Sequence, residues 1–462
     1  MAPVFDRILV ANRGEIALRV IRACHEMGIE AVAVYSTADT EAAHVRAADR
    51  ALCIGPPDPR RSYLSIPSMV AAARMTGCDA VHPGYGFLSE NSTFARACVD
   101  NDLVFIGPTP DSMDDLGDKS LAKRIMADAG LPTIPGTEGA LGSVDEATRV
   151  AAALGYPVML KASAGGGGRG MRLVDDPEDI ERSYMAASAE AEGAFGNGEL
   201  YLEKVIARPH HVEVQVIGDG RGGVLTLGER DCSIQRRHQK VLEESPSPLL
   251  DDATRGRLAE LVTKACAAID YLSAGTLEFL ADEHRDFYFM EMNTRVQVEH
   301  PVTEMVTGVD VIREQIGVAA GRPLSRVGSV QPTGHAIEFR INAEDPGKNF
   351  LPRGGTIERL RLPGGPGVRV DTHLYEGYTV PTNYDSLLAK LIVWDEDRTS
   401  CIARGIRCLR ELEVVGVPTT RDLHLDILGH PAFVAGNIST AFLEEARGEL
   451  ASMNGDGGGR QT

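Results

Sequence analysis

The first 36 residues constrain the fold most, because they carry the pattern of two strands joined by a helix. The segment FDRILVANRGEIALRVIRACHEMGIEAVAVYS opens on an apolar run at residues 8–10 and closes on another at residues 31–35. Between these runs, apolar side chains recur at helical spacing, at Ile16, Val20, Ile21 and Cys24. A helix between two strands is the usual crossover of a parallel pair, so the segment predicts a βαβ unit in a parallel sheet.

The same alternation continues through the first quarter of the chain. Apolar runs at residues 51–54, 80–82 and 104–106 each end in a Gly/Pro turn, and a helix is expected near residues 67–76. We therefore expect a doubly wound α/β lobe over residues 1–114. Because the 462-residue chain exceeds the roughly 250 to 300 residues of one core, two or three lobes are expected.

The remaining chain divides into four predicted parts, which make the whole protein α/β (α+β overall). Residues 115–132 read as a connecting helix, with Lys119 in its first turn, where a cation opposes the helix dipole. Residues 133–203 read as a small β lobe, with strands at 156–162 and 171–174 around a glycine loop. Residues 204–450 predict a mixed α+β lobe with a helix at 252–269, and residues 451–462 a disordered tail.

Composition limits the partners and the compartment. A formal net charge of -19 repels nucleic acid and anionic lipid over long range, so neither is expected as a partner. The eight cysteines include no CxxC pair, which is typical of reduced thiols in a cytoplasmic protein. No secretory signal and no apolar run of membrane-spanning length is present, so neither export nor membrane anchoring is expected.

The glycine loop at residues 164–170 is the first feature that suggests chemistry. Its four consecutive glycines, Gly165, Gly166, Gly167 and Gly168, lie between two apolar strands and would let backbone N–H groups approach a phosphate. The loop has neither the GK[ST] ending of a P-loop nor the GxGxxG of a dinucleotide fold. A flexible surface turn is the alternative, but Lys161 on the strand entering the loop favours phosphate.

A predicted hairpin brings two acids together. Strands at residues 276–280 and 287–291 flank the polar turn ADEHRD, and a hairpin centred near His284 places Glu278 opposite Glu291. Opposed side chains have Cβ atoms about 4.5 to 5.5 Å apart, where like charges destabilise the pair. A divalent cation would remove that repulsion, and Mg²⁺ is usually held by one or two carboxylates plus phosphate oxygens. The alternative is two acids on a solvated sheet face.

The residues after Glu291 form a polar row. In EMNTRVQVE, polar side chains occupy alternate positions, which in extended chain would share one face. Arg295 can fork onto a planar oxyanion, and Glu299 at the far end is a candidate base. His300 is expected to be structural, since it points to the other face before Pro301. The members of the row are Glu291, Asn293, Arg295, Gln297 and Glu299.

Two further segments add polar and cationic side chains to an acidic chain. HVEVQV alternates polar residues with valines, and SIQRRHQK concentrates basic groups. Such a basic patch is often a solvated loop, but an electropositive cleft that concentrates anions fits better beside the predicted metal acids. The residues concerned are His211, Glu213, Gln215, Gln235, Arg236, Arg237, His238 and Lys240.

These motifs resemble those of the biotin carboxylase component of acyl-CoA carboxylases, in the ATP-grasp superfamily. The resemblance rests on ILVANRGEIALRVIRAC, HPGYGFLSEN, GGGGRGM, GERDCSIQRRHQK, LEF, EMNTRVQVEHPVTE and GHAIEFRINAEDP, and it covers residues 4 to about 446. It implies an ATP-grasp fold in which the glycine lobe closes over ATP. It also implies that ATP phosphorylates bicarbonate to carboxyphosphate, whose CO₂ passes to N1' of carrier-bound biotin, leaving ADP and phosphate.

The resemblance also implies roles for individual residues. Mg²⁺ (or Mn²⁺) would be held by Glu278, Glu291 and Asn293. Glu299 would deprotonate bicarbonate, which Arg295, Gln297, the Val298 backbone and Lys240 would bind, and Arg340 would stabilise the biotin enolate. ATP would contact Lys119, Lys161, Gly165, Gly166, Gly167, Gly168, Glu203, Lys204, Ile206, His211, Gln235, His238, Glu278 and Glu291.

The family further implies partners, although the chain departs from its pattern at two points. Ala164 replaces a glycine that is common in the family, and the turn DEHRD is longer than usual. No AMKM-like biotinyl-lysine motif occurs, so we expect a separate biotin carboxyl carrier protein, together with carboxyltransferase subunits and a homodimer. Acetyl-CoA carboxylation for fatty-acid synthesis is the default pathway, with propionyl-CoA and pyruvate systems left open.

Three other functions compete with this interpretation. Another ligase of the superfamily, an amino-acid or carbamoyl-phosphate-forming enzyme, would share the metal acids and glycine loop but would not require RVQVEHPVTE together with ERDCSIQRRHQK. A noncatalytic ATP-binding subunit is disfavoured by the intact Glu299, Lys240, Arg295 and Arg340. An NAD-dependent oxidoreductase is disfavoured by the missing dinucleotide fingerprint.

Overall fold

A computed structural model describes residues 5–137, 139–163 and 170–453. The N-terminal lobe contains a five-stranded parallel sheet in the order β3-β2-β1-β4-β5. Its strands are β1 (Arg7–Val10), β2 (Glu30–Ser36), β3 (Arg50–Gly55), β4 (Ala80–His82) and β5 (Val104–Phe105). Its helices are α1 (Gly14–Glu26), α2 (Ala43–Ala47), α3 (Ile66–Thr76), α4 (Ser92–Val99) and α5 (Pro110–Gly117).

Burial on both faces of this sheet follows from the alternation along β1. Ile8 and Val10 pack with α1 in one hydrophobic core, whereas Leu9 packs into a second core with Phe94 of α4. A parallel sheet is normally covered on both faces, and apolar residues in every position of a strand are the result. The predicted doubly wound lobe is confirmed.

The connection to the next lobe differs from the single helix predicted over residues 115–132. Helix α5 ends at Gly117, and α6 (Lys119–Asp128) begins after Asp118, whose carboxylate accepts from the Leu121 N–H at 2.8 Å. Residue 114, the predicted lobe boundary, lies inside α5. The side-chain cap satisfies a free N–H at the start of α6, so a new helix starts here.

The small lobe is a three-stranded antiparallel sheet in the order β7-β6-β8, covered by two helices. Both strands predicted around the glycine loop are present, as β6 and β7, but the two helices were not predicted. The glycines at 165–168 lie outside the described residues. The elements are α7 (Val144–Leu154), β6 (Val158–Ala162), β7 (Met171–Val174), α8 (Ile180–Phe195) and β8 (Leu200–Lys204).

The C-terminal lobe is built on a nine-stranded sheet, with β13-β12-β9-β10-β11-β15-β22-β20 in order and β14 paired to β10. The first part contains β9 (His210–Asp219), β10 (Val224–Arg236), β11 (Gln239–Ser245), α9 (Asp252–Ala268), β12 (Leu272–Ala281), β13 (Phe287–Asn293), α10 (His300–Thr307), α11 (Val311–Ala319) and β14 (Gly328–Ser329). The strands that follow are β15 (His335–Asn342), β16 (Glu344–Asp345), β17 (Leu351–Pro352), β18 (Gly355–Thr356), β19 (Arg359–Arg361), β20 (Val368–Thr372), β21 (Thr379–Val380), β22 (Leu387–Asp395) and β23 (Glu413–Val415). Helices α12 (Arg398–Glu411), α13 (Arg421–Gly429), α14 (Pro431–Val434) and α15 (Phe442–Glu445) close the lobe.

The described part of the chain ends shortly after α15. Residues 451–453 of the predicted tail form a short 3₁₀ turn, and residues 454–462 lie outside the described part. Across the residues that the structure describes, no helix combines the length and apolar character needed to cross a lipid bilayer.

The hairpin of β12 and β13 has the predicted register. Glu278 pairs with Glu291, and a bulge at the next position shifts Phe279 opposite Phe289. The expectation of an extended row from residue 291 to 299 is only partly correct, because β13 ends at Asn293 and the chain then turns into α10 at His300. Pro301 in the first turn of α10 favours this start, since proline is well tolerated there.

Candidate active site

A cavity of about 670 Å³ opens between the N-terminal lobe and the large sheet. The N-terminal lobe contributes the turn after β1 with the start of α1, at residues 12–16, and the turn at residues 85–87. Although the chain leaves the strand at Asn293, the polar row still converges on this cavity. The predicted site residues that line it are His211, His238, Lys240, Glu278, Glu291, Asn293, Arg295, Gln297, Val298, Glu299 and Arg340.

Lys240 is the cation around which the acids of the cavity gather. Its Nζ lies 2.5 Å from a Glu213 carboxylate oxygen, 3.0 Å from Glu278 and 2.6 Å from Glu299. Burial lowers the pKa of Lys240, but the three carboxylates outweigh burial and hold the pKa well above its ordinary value. Lys240 is therefore a permanent positive charge in the cavity wall.

Glu299 is shared between two cations. Its Oε1 accepts from Lys240, and its Oε2 accepts from Arg340 Nη2 at 2.9 Å. Burial raises the pKa of the Glu299 carboxyl, but Lys240, Arg340 and Arg230 outweigh burial and hold that pKa well below the ordinary value. The carboxylate is thus ionised and able to accept a proton.

Arg340 is oriented from behind by Glu243, which sequence reasoning missed. Arg340 Nε donates to Glu243 Oε1 at 2.5 Å. Burial raises the pKa of Glu243 to about 7, against the opposing effect of Arg340. The segment KVLEES gave no signal for this pair, because Glu243 on β11 and Arg340 on β15 are 97 residues apart in the chain.

Arg230 is a second residue that sequence reasoning missed, although it lies in the quoted motif GERDCSIQRRHQK. It is fully buried on β10, and its guanidinium makes five hydrogen bonds. Because the guanidinium has five N–H groups in a fixed fork, this arrangement uses its full capacity. The acceptors are Glu213 Oε1 (2.5 Å), Gln215 Oε1 (2.9 Å), Thr303 Oγ1 (2.9 Å), Thr276 Oγ1 (3.2 Å) and Gln297 Oε1 (2.8 Å).

The opposed acids Glu278 and Glu291 each lie beside a basic side chain. Glu278 lies 3.0 Å from His211 Nε2 and accepts from Asn293 Nδ2 at 2.9 Å. Glu291 Oε2 lies 2.8 Å from Lys119 Nζ. The Lys119 placement that opposes the helix dipole therefore serves an ion pair with the hairpin.

The donor set around this pair fits a hard divalent cation. Glu278, Glu291 and Asn293 supply carboxylate and amide oxygens, the ligand type that Mg²⁺ and Mn²⁺ prefer. His211, Glu213 and Glu278 also bring ligand atoms within 4.8 Å of one another. Glu278 is now paired with His211, Lys240 and Asn293, and Glu291 with Lys119, so a bound cation would replace some of these contacts.

A lysine cluster extends from Glu291 toward the small lobe. Lys161 Nζ lies 2.5 Å from Glu203 Oε2, and Lys123 forms an ion pair with the same carboxylate. Lys119 is close enough to affect the pKa of both other lysines. Lys119 and Lys161 were expected from the sequence, whereas Lys123, one helical turn after Lys119 on α6, was not. Burial and the neighbouring lysines lower the pKa of Lys123 to about 7 and that of Lys161 to about 8. An anion bound next to the predicted metal acids would favour the protonated form of these amino groups.

Other residues predicted for ATP do not line the cavity. Lys204 Nζ donates to the carbonyl oxygens of Gly155 and Tyr156 at 2.8 and 3.2 Å. Gln235 is buried, with its Nε2 3.4 Å from His211 Nδ1. Ile206 is half-buried in the loop after β8. Their nucleotide contacts, like those of Glu203 and the four glycines, stay predictions.

Arg295 connects the polar row to the N-terminal lobe. Its Nε donates to Glu90 Oε2 at 2.8 Å, and its Nη2 donates to Asn293 Oδ1 at 2.8 Å. The Thr294 N–H also donates to Glu90, at 3.1 Å. Glu90 is a further residue that sequence reasoning missed, although it lies in the quoted HPGYGFLSEN. These bonds fix the Arg295 guanidinium at the cavity wall.

Comparison with known proteins gives a consistent result over almost the entire chain. The N-terminal domain of biotin carboxylase matches residues 4–113, and its C-terminal domain matches residues 338–445. Between them, the ATP-binding domain of the carbamoyl-phosphate synthase L chain matches residues 118–327.

Individual relatives agree with these domain matches. The chain is 55 % identical over 442 residues to the biotin carboxylase of Nostoc sp., covering 96 % of this chain and 99 % of that protein. A biotin carboxylase–β,γ-ATP complex from Campylobacter jejuni has a TM-score of 0.92 and 51 % identity, covering 96 % of this chain and 99 % of that one.

A second solved structure is the biotin carboxylase domain dimer of Hydrogenobacter thermophilus 2-oxoglutarate carboxylase, in complex with MgADP, ADP and bicarbonate. It has a TM-score of 0.90 and 50 % identity, covering 96 % of this chain and 98 % of that one. With this level of identity over nearly its full length, the chain belongs to the biotin carboxylase family, whose members are ATP-dependent ligases of the ATP-grasp fold.

Proposed function

We propose that the cavity catalyses phosphorylation of bicarbonate by ATP and transfer of the resulting CO₂ to biotin on a separate carrier protein. The observation that carries the proposal is the convergence of Arg295, Gln297 and Glu299 on one cavity with Lys240. An ionised acceptor beside fixed cations suits a small oxyanion that must lose a proton.

In the proposed first step, Glu299 takes the proton of bicarbonate. The freed oxygen attacks the γ-phosphorus of ATP, the bond to the β-phosphate oxygen breaks, and ADP leaves with that electron pair. Lys240 and Arg295 offset the negative charge on the reacting oxygens, and Gln297 orients the anion through its amide. The product, carboxyphosphate, then splits into CO₂ and phosphate, and the oxygen that joined carbon to phosphorus stays on phosphate.

In the proposed second step, N1' of biotin loses its proton to the phosphate and its electron pair attacks CO₂. Arg340 stabilises the enolate form of the ureido group, and Glu243 holds Arg340 in place for that task. Biotin arrives on a carrier protein, and carboxyltransferase subunits use the carboxybiotin. We propose acetyl-CoA carboxylation leading to malonyl-CoA as the pathway, and a homodimer as the assembly, as in the dimeric relative described above.

For the metal, we propose that Glu278, Glu291 and Asn293 hold Mg²⁺ or Mn²⁺. When bound, the ion would neutralise and align the phosphate oxygens of ATP. The lysine cluster of Lys119, Lys123 and Lys161 would contact the same phosphates from the other side.

Glu291→Gln should raise the Mg²⁺ concentration needed for half-maximal ATP cleavage on the order of tenfold, since an amide oxygen is a weaker ligand than a carboxylate. The check is an Mg²⁺ titration at fixed ATP. Asp286→Asn, which changes an exposed acid in the turn of the same hairpin, is the matched control and should leave the titration unchanged. An unchanged titration for Glu291→Gln would remove this residue from the metal site.

The reaction itself is tested by ATP cleavage in the purified protein. We expect ADP release that depends on bicarbonate and increases when free biotin is added, because biotin consumes the CO₂ and drives each turnover to completion. A rate that responds to neither bicarbonate nor biotin would contradict the proposed function.

A further inference from the structure

The segment Gln297–Glu299 is held from behind by two buried groups that do not line the cavity. His300, fully buried, has its Nδ1 2.7 Å from the Gln297 carbonyl oxygen. Lys390, also fully buried, donates from Nζ to the Val298 carbonyl oxygen at 2.9 Å. Two consecutive peptide groups are therefore fixed at their oxygen atoms.

Because a peptide group is planar and trans, a contact that fixes its carbonyl oxygen also fixes the direction of its N–H. In a trans peptide, the C=O and the following N–H point in opposite directions. The Gln297 carbonyl points toward buried His300, so the Val298 N–H points away from His300. Val298 is half-buried and lines the cavity, and none of the described residues accepts a hydrogen bond from its N–H. This donor is therefore available to a ligand.

The protonation state of His300 suits a permanent hydrogen bond to the Gln297 carbonyl oxygen. A carbonyl oxygen can only accept, so Nδ1 carries the proton. Burial and the neighbouring Lys390, Arg19 and Arg369 hold the pKa of His300 well below its ordinary value, so the ring stays neutral. Among the described residues, Nε2 has no hydrogen-bond partner. Within the described part of the chain, His300 therefore makes its one side-chain hydrogen bond through Nδ1, to the Gln297–Val298 peptide.

Lys390 is anchored in turn. Its Nζ also lies 3.2 Å from Glu15 Oε1 of α1. Lys390 on β22 therefore links the N-terminal lobe to the Val298 carbonyl. A buried ammonium requires a counter-ion and acceptors, and these partners provide them. The carbonyl oxygen of the second peptide is therefore also held by a buried group.

We propose that His300 is a positioning residue for bicarbonate: its Nδ1–H fixes the Gln297–Val298 peptide so that the Val298 N–H faces the anion. Lys390 supports the same segment one peptide later. The inference rests on the proposed function, since it assigns the held N–H to bicarbonate. It also changes the prediction from sequence, in which His300 was structural only.

The test uses two amides that imitate different nitrogens of the ring. The Asn side chain places its NH₂ near the position of Nδ1, whereas the Gln side chain places it near Nε2. In steady-state assays with saturating MgATP and biotin, His300→Gln should raise the bicarbonate KM on the order of tenfold, the effect of one hydrogen bond of ordinary strength. His300→Asn should stay within about threefold of wild type, and the KM for ATP should not change in either variant.

His44→Asn is the matched control, because the Asn amide lies near the position of Nδ1 and therefore removes the hydrogen bond that His44 makes through Nε2. His44 is likewise fully buried and has Nε2 3.3 Å from a backbone carbonyl, that of Val34, but it does not line the cavity. It should leave the bicarbonate KM unchanged. Equal bicarbonate KM values for His300→Gln and His300→Asn, or a rise in the ATP KM as large as that for bicarbonate, would overturn the proposal.

A second measurement covers the case in which a His300 variant does not fold. In the wild-type protein, ¹⁵N-histidine NMR should show His300 protonated at Nδ1 only, and adding bicarbonate with MgADP should shift that resonance. A resonance protonated at Nε2, or one that bicarbonate leaves unmoved, would overturn the inference. Wild-type protein without bicarbonate-dependent ATP cleavage would instead refute the proposed function, so the two failures are distinguishable.

Discussion

Glu299→Gln is expected to reduce biotin carboxylation by a factor of about 10² to 10⁴, the usual contribution of a general base, while ATP still binds. The amide keeps the shape of the side chain but cannot accept the bicarbonate proton. Turnover is measured as ADP release with bicarbonate and biotin, and ATP binding by calorimetry. Because Lys240 and Arg340 keep the carboxylate ionised, wild-type Glu299 is ready as an acceptor throughout the neutral pH range.

The control for this variant is another buried, paired acid outside the cavity. Glu229 accepts from Arg255 Nε at 2.8 Å and does not line the cavity, so Glu229→Gln tests loss of a buried ion pair alone. It should bind ATP and retain turnover far above that of Glu299→Gln. Turnover of Glu299→Gln within tenfold of wild type would exclude Glu299 as the base. Loss of ATP binding would assign it to the nucleotide site.

Arg230→Met is expected to destabilise the C-terminal lobe by about 3 to 5 kcal/mol, because removing one partner of a buried ion pair leaves an uncompensated charge. The change leaves Glu213 without its ion pair to Arg230, and it leaves four neutral acceptors without the donor that Arg230 provides. The Gln297 amide loses one of the two bonds that orient it and keeps the one from its Nε2 to Glu278, so the bicarbonate KM should rise as well. Urea unfolding monitored by circular dichroism measures the first effect.

An exposed arginine provides the comparison. Arg285 lies 2.8 Å from Asp251 at the surface, and Arg285→Met should cost less than about 1 kcal/mol, as surface ion pairs do. If Arg230→Met unfolds at the same urea concentration as Arg285→Met, then the five hydrogen bonds of Arg230 do not hold the site together.

The parts of the site that the sequence predicted are those set by neighbouring residues in the chain. The hairpin itself could be predicted from its turn, but the pairs beside the turn, which end at Phe279–Phe289, would continue to Glu278–Met290. The bulge between Phe279 and Glu278 is what brings Glu291 opposite Glu278. The polar row was predicted for the wrong reason, since residues 294–299 are not a strand. They converge on the cavity because Arg295 is bound to Glu90 and Gln297 to Arg230.

The site residues that the sequence did not predict depend on partners far away in the chain. Glu243, Arg230 and Glu90 meet their partners through contacts between elements far apart in the chain, which periodicity cannot show. Helix α7 was missed although its signal is local: Ser143 caps the Glu146 N–H at 3.2 Å, as in a capping box, and Gly155 follows the last turn. In that case the information was present in the sequence.

Transfer of oxygen from bicarbonate to phosphate tests the central claim most directly. With ¹⁸O-labelled bicarbonate, ATP and biotin, the account predicts one ¹⁸O atom in each inorganic phosphate, because the oxygen that attacks phosphorus remains on it when carboxyphosphate splits. Carboxybiotin should form in equal amount. Phosphate without ¹⁸O from bicarbonate would show that water attacks ATP instead, and would contradict the account.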